Sequence, residues 1–170
     1  MIDDKALFAL SERVGQQLKT AGRRLATAES CTGGWVAKAC TDIAGSSQWF
    51  ECGFVTYSNA AKVRDLGVSE KTLSSHGAVS EATVREMAAG ALRVAAVDVA
   101  VAISGIAGPD GGTPAKPVGT VWFAVAARRA TETVITAEVQ SYPGDRELIR
   151  RRSVERALCL VLAAEGLSAS

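Results

Sequence analysis

Leu7, Leu10, Val14 and Leu18 recur at steps of three and four residues behind an acidic pair, Asp3 and Asp4. That spacing gathers the apolar side chains on one face, and carboxylates suit the positive end of a helix, so the chain opens with an amphipathic helix. Arg24 to Glu29 reads as a short strand, and Gly33 to Asp42 as a helix carrying Trp35, Val36 and Ala39 toward a core. TAESCTGG is the turn between them. After the small residues Ala44 to Ser47, the stretch Trp49 to Tyr57 is rich in aromatic and β-branched residues and predicts a second strand, with Gly53 marking a bulge. A short helix follows over Asn59 to Leu66. Ser80 caps the next helix, whose apolar stripe is Val84, Met87, Ala88, Ala91 and Leu92.

Val99 to Ile103 is uniformly apolar, as in a strand buried on both faces of a parallel sheet. It opens into SGIAGPDGGTPAKP, where Gly and Pro exclude any regular element. Val118 to Ala127 and Thr133 to Gln140 are β-rich runs joined by a short polar link, which predicts an antiparallel hairpin. Gly144-Asp145 starts the last helix, with Val154, Ala157, Leu158, Val161 and Leu162 facing inward. This order predicts a single domain over residues 1–170, an α/β protein built as a three-layer α/β/α sandwich around a mixed, mostly parallel sheet. Ligands of such sheets gather beyond the carboxyl ends of the strands. The loops beginning at Ser30, Tyr57 and Ser104 are therefore expected to meet.

Composition narrows the possible partners. With 19 basic and 18 acidic side chains the net charge is only +1, so no global field draws the chain to nucleic acid or to an anionic membrane. The start, MIDDKALFAL, lacks the basic and apolar regions of a signal peptide, and no apolar run approaches the roughly 18 residues of a membrane span. A cytoplasmic protein is expected. Cys31, Cys40, Cys52 and Cys159 show no C-x-x-C pairing, and His76 is the single histidine, which argues against a metal site and for reduced, structural thiols.

The candidate chemistry lies in the loops. A helix beginning just after Ser30-Cys31-Thr32 presents unpaired backbone N–H groups, and Gly33-Gly34 lets a ligand reach them. The same residues also read as a glycine turn with Thr32 as N-cap. No P-loop lysine and no G-x-G-x-x-G pattern is present. Ser104, Gly105 and Gly108 stand at the end of a central strand in a loop suited to a small molecule, or to a plain surface loop. Arg146 lies beside the start of the last helix, either as a phosphate clamp or as a solvated side chain. The run Arg150-Arg151-Arg152 reads as the wet face of that helix.

Serine catalysis needs a base. His76 has no acidic partner in sight, whereas a lysine serves if burial keeps it neutral, and Lys62 is the one lysine of six placed one helical turn past Tyr57-Ser58-Asn59, near Ser30 and Ser104. Cys31 could be a reactive thiolate at a helix start, but it has no partner base.

Four motifs in order, TAESCTGGW, GSSQWFECGFVTYSNAAK, HGAVS and SGIAGPDGGTPAKPVGTVW, resemble the CinA C-terminal domain family over about residues 5 to 160. Many members carry a further N-terminal domain, and the likeness here is to the stand-alone form. The resemblance implies a cofactor-free and metal-free amidohydrolase that converts nicotinamide mononucleotide to nicotinate mononucleotide and ammonia in pyridine nucleotide salvage, with a homodimeric assembly. It implies a serine–lysine dyad at Ser47 and Lys62, with Tyr57 and Ser30 near the reacting centre and Ser104 and Arg146 contacting substrate. Thr32, Gly33, Gly34, Asn59, Gly105 and Gly108 complete the candidate substrate-binding positions. A straight strand over Trp49 to Tyr57 would hold Ser47 and Lys62 on the order of 30 Å apart, so either the chain bends sharply near Gly53, a dimer partner supplies one member, or Ser30 is the nucleophile; the topology favours Ser30 and the resemblance favours Ser47. A non-catalytic nucleotide sensor, or an interaction module linked to competence and DNA damage, is the alternative.

Overall fold

The computed structural model describes residues 3–166. The elements run α1 (Asp4–Thr20), β1 (Leu25–Glu29), α2 (Trp35–Thr41), a 3-10 turn (Ser46–Gln48), β2 (Phe50–Val55), α3 (Asn59–Leu66), α4 (Glu70–His76), α5 (Glu81–Val94), β3 (Val99–Gly105), β4 (Thr120–Arg128), β5 (Thr133–Ser141) and α6 (Arg146–Ala164). They form one sheet in the order β2-β1-β3-β4-β5. β1 pairs parallel with β2 and β3, whereas the β3–β4 and β4–β5 pairs are antiparallel. Four of the five strands thus point one way and only β4 is reversed, giving the mixed, mostly parallel sheet read from the sequence.

Alternation along the central strands divides the interior in two. Leu25, Val99, Val101 and Ile103 face α1, α2 and α6, where Leu18, Val36, Leu158 and Leu162 close a large aliphatic core. Ala26, Ala28, Ala100 and Ala102 face α5, against Met87, Leu66 and Leu92. The alanines thin this second face, and Gly90 lets the helices come closer still: a Cβ there would lie 2.0 Å from the Leu66 carbonyl oxygen. Burial of these stripes, at about 25 cal/mol per Å² of apolar surface, is the main force holding the layers together.

Three of the long helices begin on side-chain caps that local sequence foretells. The Asp3 carboxylate accepts from the Ala6 amide at 2.8 Å, Ser80 from Thr83, and Asp145 from Leu148 at 2.8 Å, each satisfying an otherwise orphaned donor. Other details differ from expectation. Gly53 is not the bulge: the register slips at Leu25/Ala26, which pair with Phe50 and Cys52, so Glu51 is the extra residue. Gly53 serves packing instead, because a Cβ there would lie 2.9 Å from both Ala37 Cβ and Thr27 Oγ1. α2 starts at Trp35, two residues later than its apolar pattern suggests, because Gly33 and Gly34 hold left-handed φ of 63° and 93°. α4 lacks any fully buried residue, and a helix without an apolar stripe gives no periodic signal.

Candidate active site at the carboxyl ends of the central strands

Ser30 leaves the end of β1, its amide held by the Ile103 carbonyl of β3 at 3.0 Å, and Thr56 leaves β2 with its amide on the Glu29 carbonyl at 2.9 Å. α3 follows at once, capped by Ser58, whose hydroxyl accepts from the Ala61 amide at 3.1 Å. One turn into α3, Lys62 points back over the strand ends. Its side chain is fully buried, with 0% exposure. Nζ lies 3.1 Å from Ser30 Oγ and 2.7 Å from the Thr56 carbonyl oxygen, with the Tyr57 carbonyl at 3.5 Å. No carboxylate pairs with it among the described residues. Burial lowers its pKa from the ordinary lysine value, opposed weakly by the nearby Cys31 thiol.

Nζ donates to Ser30 Oγ and to the two carbonyls; in the uncharged amine that burial favours, two N–H groups still meet the two carbonyls and the lone pair faces the Ser30 hydroxyl. An ammonium here would carry a third proton and no countercharge. Such a pair can draw a proton from serine and return it to a leaving group. Cys31, next to Ser30, is 6% exposed, and burial pushes its thiol up to about 11, so it stays protonated and inert.

Ser47 stands elsewhere. It lies exposed in the 3-10 turn before β2, and its carbonyl accepts from Arg24 at 3.5 Å. The whole of β2, six residues or about 20 Å at ~3.3 Å per residue, separates it from the strand end at which Lys62 sits. The bulge does not turn the strand back. Within one chain, Ser30 and Lys62 are brought together and Ser47 and Lys62 are not.

The turn after Ser30 is not an open anion site. The Glu29 carboxylate, fully buried, accepts from the amides of Gly34 and Val36 at 3.0 Å and Ala37 at 2.8 Å, so an internal anion occupies the start of α2. Thr32 is not an N-cap either: Gly34 holds that position, and the Thr32 hydroxyl is buried without a hydrogen-bond partner. Sequence reading missed Glu29 because a cap reaching over from the preceding strand has no fixed local spacing. It also took Arg150 for a solvated side chain. Arg150 donates to the carbonyls of Cys31 at 3.1 Å and Thr32 at 2.9 Å, and its guanidinium stacks on Trp35, 5.2 Å from the ring centroid.

The remaining candidates are spread over the loops at this end of the sheet and the helices that follow them. Tyr57 is 62% exposed, and its hydroxyl accepts from Arg146 Nη2 at 3.2 Å. Arg146 Nη1 donates to the Gly108 carbonyl at 2.8 Å, which fastens α6 to the glycine-rich loop. Ser104 is 1% exposed and its hydroxyl donates to the Ala78 carbonyl at 2.8 Å, tying β3 to the segment before α5. Gly105 and Gly108 are required by packing, since a Cβ would lie 2.7 Å from Val121 and 2.6 Å from Val118, respectively. Asn59 opens α3 and lines a cleft between α3 and α4, while Gly33 and Gly34 line another beside Trp35. Among the described residues no cluster of His, Cys, Asp or Glu could hold a metal ion, and no helix is long and apolar enough to cross a membrane.

Comparison with known proteins shows what the chain as a whole is similar to. Residues 7–164 match the model of the CinA C-terminal domain. The chain is 61% identical over 155 residues to the nicotinamide-nucleotide amidohydrolase PncC of Escherichia coli (strain K12), covering 91% of this chain and 92% of that one. It is 49% identical over 152 residues to the protein of the same name from Pseudomonas putida, covering 89% and 92%. Among solved structures, a competence-damaged protein (CinA) superfamily protein from Klebsiella pneumoniae superposes with a TM-score of 0.88 at 41% identity, covering 94% of this chain and 98% of that one. A competence/damage inducible protein from Agrobacterium tumefaciens gives 0.88 at 41% over 98% of both chains. On these grounds, the chain belongs to the CinA C-terminal domain family.

Proposed function

We propose that this protein hydrolyses the carboxamide of nicotinamide mononucleotide, giving nicotinate mononucleotide and ammonia, with Ser30 as nucleophile and Lys62 as general base. One observation carries the reading: a fully buried amine without a countercharge stands 3.1 Å from a serine hydroxyl. The substrate follows from the names of the relatives, which share 61% and 49% of their aligned residues with this chain.

Neutral Lys62 takes the Ser30 proton as Oγ attacks the amide carbon. A backbone amide of the turn after Ser30 that no internal acceptor occupies holds the oxyanion, an interaction worth about 3–4 kcal/mol in comparable sites. While protonated, Lys62 is steadied by the carbonyls of Thr56 and Tyr57, and it then delivers its proton to the departing nitrogen, which leaves as ammonia. Water, deprotonated by the same amine, attacks the nicotinoyl ester and frees Ser30. Amide plus water thus becomes acid plus ammonia, with every proton passing through one nitrogen. Arg146, exposed beside Tyr57, is placed to receive the phosphate, and Tyr57 to line the pyridinium ring.

The test is ammonia release from nicotinamide mononucleotide by the purified protein, with nicotinate mononucleotide identified by mass. Binding of the nucleotide with no ammonia released would mark the chain as a sensor and overturn the proposal.

A further inference from the structure

The amides from Ser30 to Ala37 are nearly all spent. Ser30 donates to Ile103, Gly33 to the Ser30 carbonyl, Trp35 to the Thr32 carbonyl, and Gly34, Val36 and Ala37 to Glu29. The Cys31 amide donates to no group among the described residues. Thr32 is the other such position, a fully buried residue whose N–H likewise donates to no group among the described residues. Buried amides without a partner are rare in folded proteins, and one beside a nucleophile calls for a functional explanation.

The orientation of that amide is set from α6. The Cys31–Thr32 peptide is trans, so the Cys31 carbonyl and the Thr32 N–H lie in one plane and point in opposite directions. The Cys31 carbonyl is held by Arg150 Nε at 3.1 Å, and the next carbonyl by Nη2 at 2.9 Å. α6 packs on the α1 and α2 side of the sheet, whereas Ser30, two residues beyond Ala28, leaves β1 on the α3 and α5 side. The geometry points to Arg150 as a positioning residue: by holding the Cys31 carbonyl it turns the Thr32 N–H toward the Ser30–Lys62 side, as a donor for the oxyanion. Arg150 is itself held by its stack on Trp35, whose ring also lies 5.1 Å from the guanidinium carbon of Arg151. A fork of two N–H donors in one plane is specific to arginine; a lysine ammonium cannot reproduce it.

This inference rests on the amidohydrolase reading above, and the test separates the two. Ammonia release is measured for wild type, Arg150→Lys and Arg150→Met, together with thermal unfolding and the pH–rate profile. Arg150→Lys keeps the charge and the aliphatic stem against Trp35, so it guards against a variant that fails only by unfolding. The expected result is a 10- to 100-fold fall in kcat for both variants, with KM within about twofold, the pH profile unmoved and partial rescue of Arg150→Met by millimolar guanidinium. An active wild type with kcat retained in Arg150→Lys, or with the loss lying in KM, overturns the role of Arg150 alone. A wild type that binds nucleotide and releases no ammonia overturns the amidohydrolase reading and this role with it.

Discussion

Glu29 and Ser30 are neighbours in sequence and leave the end of β1 toward opposite faces of the sheet, each fastening a different helix. The Glu29 carboxylate closes the start of α2 through three amides at 2.8–3.0 Å, and the Ser30 hydroxyl meets Lys62 of α3 at 3.1 Å. The period of two in a strand thus separates a structural acid from a reactive hydroxyl one residue away.

Ser30→Ala should lower kcat by about a thousandfold or more, because the attacking oxygen is removed, whereas Ser47→Ala should stay within a few fold of wild type. Steady-state ammonia assays of both variants decide between them. The reverse order would move the nucleophile to Ser47 and require a second copy of the chain to bring it near Lys62.

Lys62 gives activity and stability the same pH direction. Its pKa is lowered by burial, so kcat/KM should rise with pH through a group titrating below the ~10.4 of a free lysine. Between the two values the unfolded chain binds the extra proton, and the sign of the linkage makes unfolding free energy rise with pH across that window. Lys62→Met should abolish turnover and remove the rise, as urea unfolding at a series of pH values would show.

Glu29→Gln should cost about 1–2 kcal/mol, because the charge-assisted bonds to the start of α2 weaken, and Glu29→Ala about 3 kcal/mol or more, since buried amides lose their acceptor. Denaturant melts measure both. A Glu29→Ala change within 0.5 kcal/mol of wild type would show that the start of α2 does not depend on this carboxylate.

Gly90→Ala reverses an ordinary rule. Inside a helix this change usually stabilises by up to about 1 kcal/mol, but here the new methyl would lie 2.0 Å from the Leu66 carbonyl oxygen, and a loss of about 2–3 kcal/mol is expected. Leu66 lies one turn beyond Lys62 on α3, so kcat should fall together with the unfolding midpoint.

Much of this was legible from periodicity. Leu7 to Leu18, Val84 to Leu92 and Val154 to Leu162 have the helical spacing that burial demands, and each of these stripes is buried. The order of strands and helices, with the uniformly apolar run of β3 at the centre, placed Ser30, Lys62 and Ser104 at one end of the sheet. What escaped was non-local. Glu29 caps a helix from the preceding strand, Arg150 reaches residues 118 and 119 positions away, and the slip at Glu51 depends on how Phe50 packs against a different face from Cys52. None of these has a local sequence spacing that marks it. The motif that resembles a family pointed to Ser47, and the length of a single strand separates that residue from Lys62.

The packing of two guanidinium groups against Trp35 has an optical consequence. Indole emission is sensitive to charge along the ring, and of the three tryptophans only Trp35 carries such a stack among the described residues. Its share of the emission therefore reports on the stack of Arg150 and Arg151 beside the turn after Ser30. A spectral shift on adding nucleotide would show that loop responding in real time.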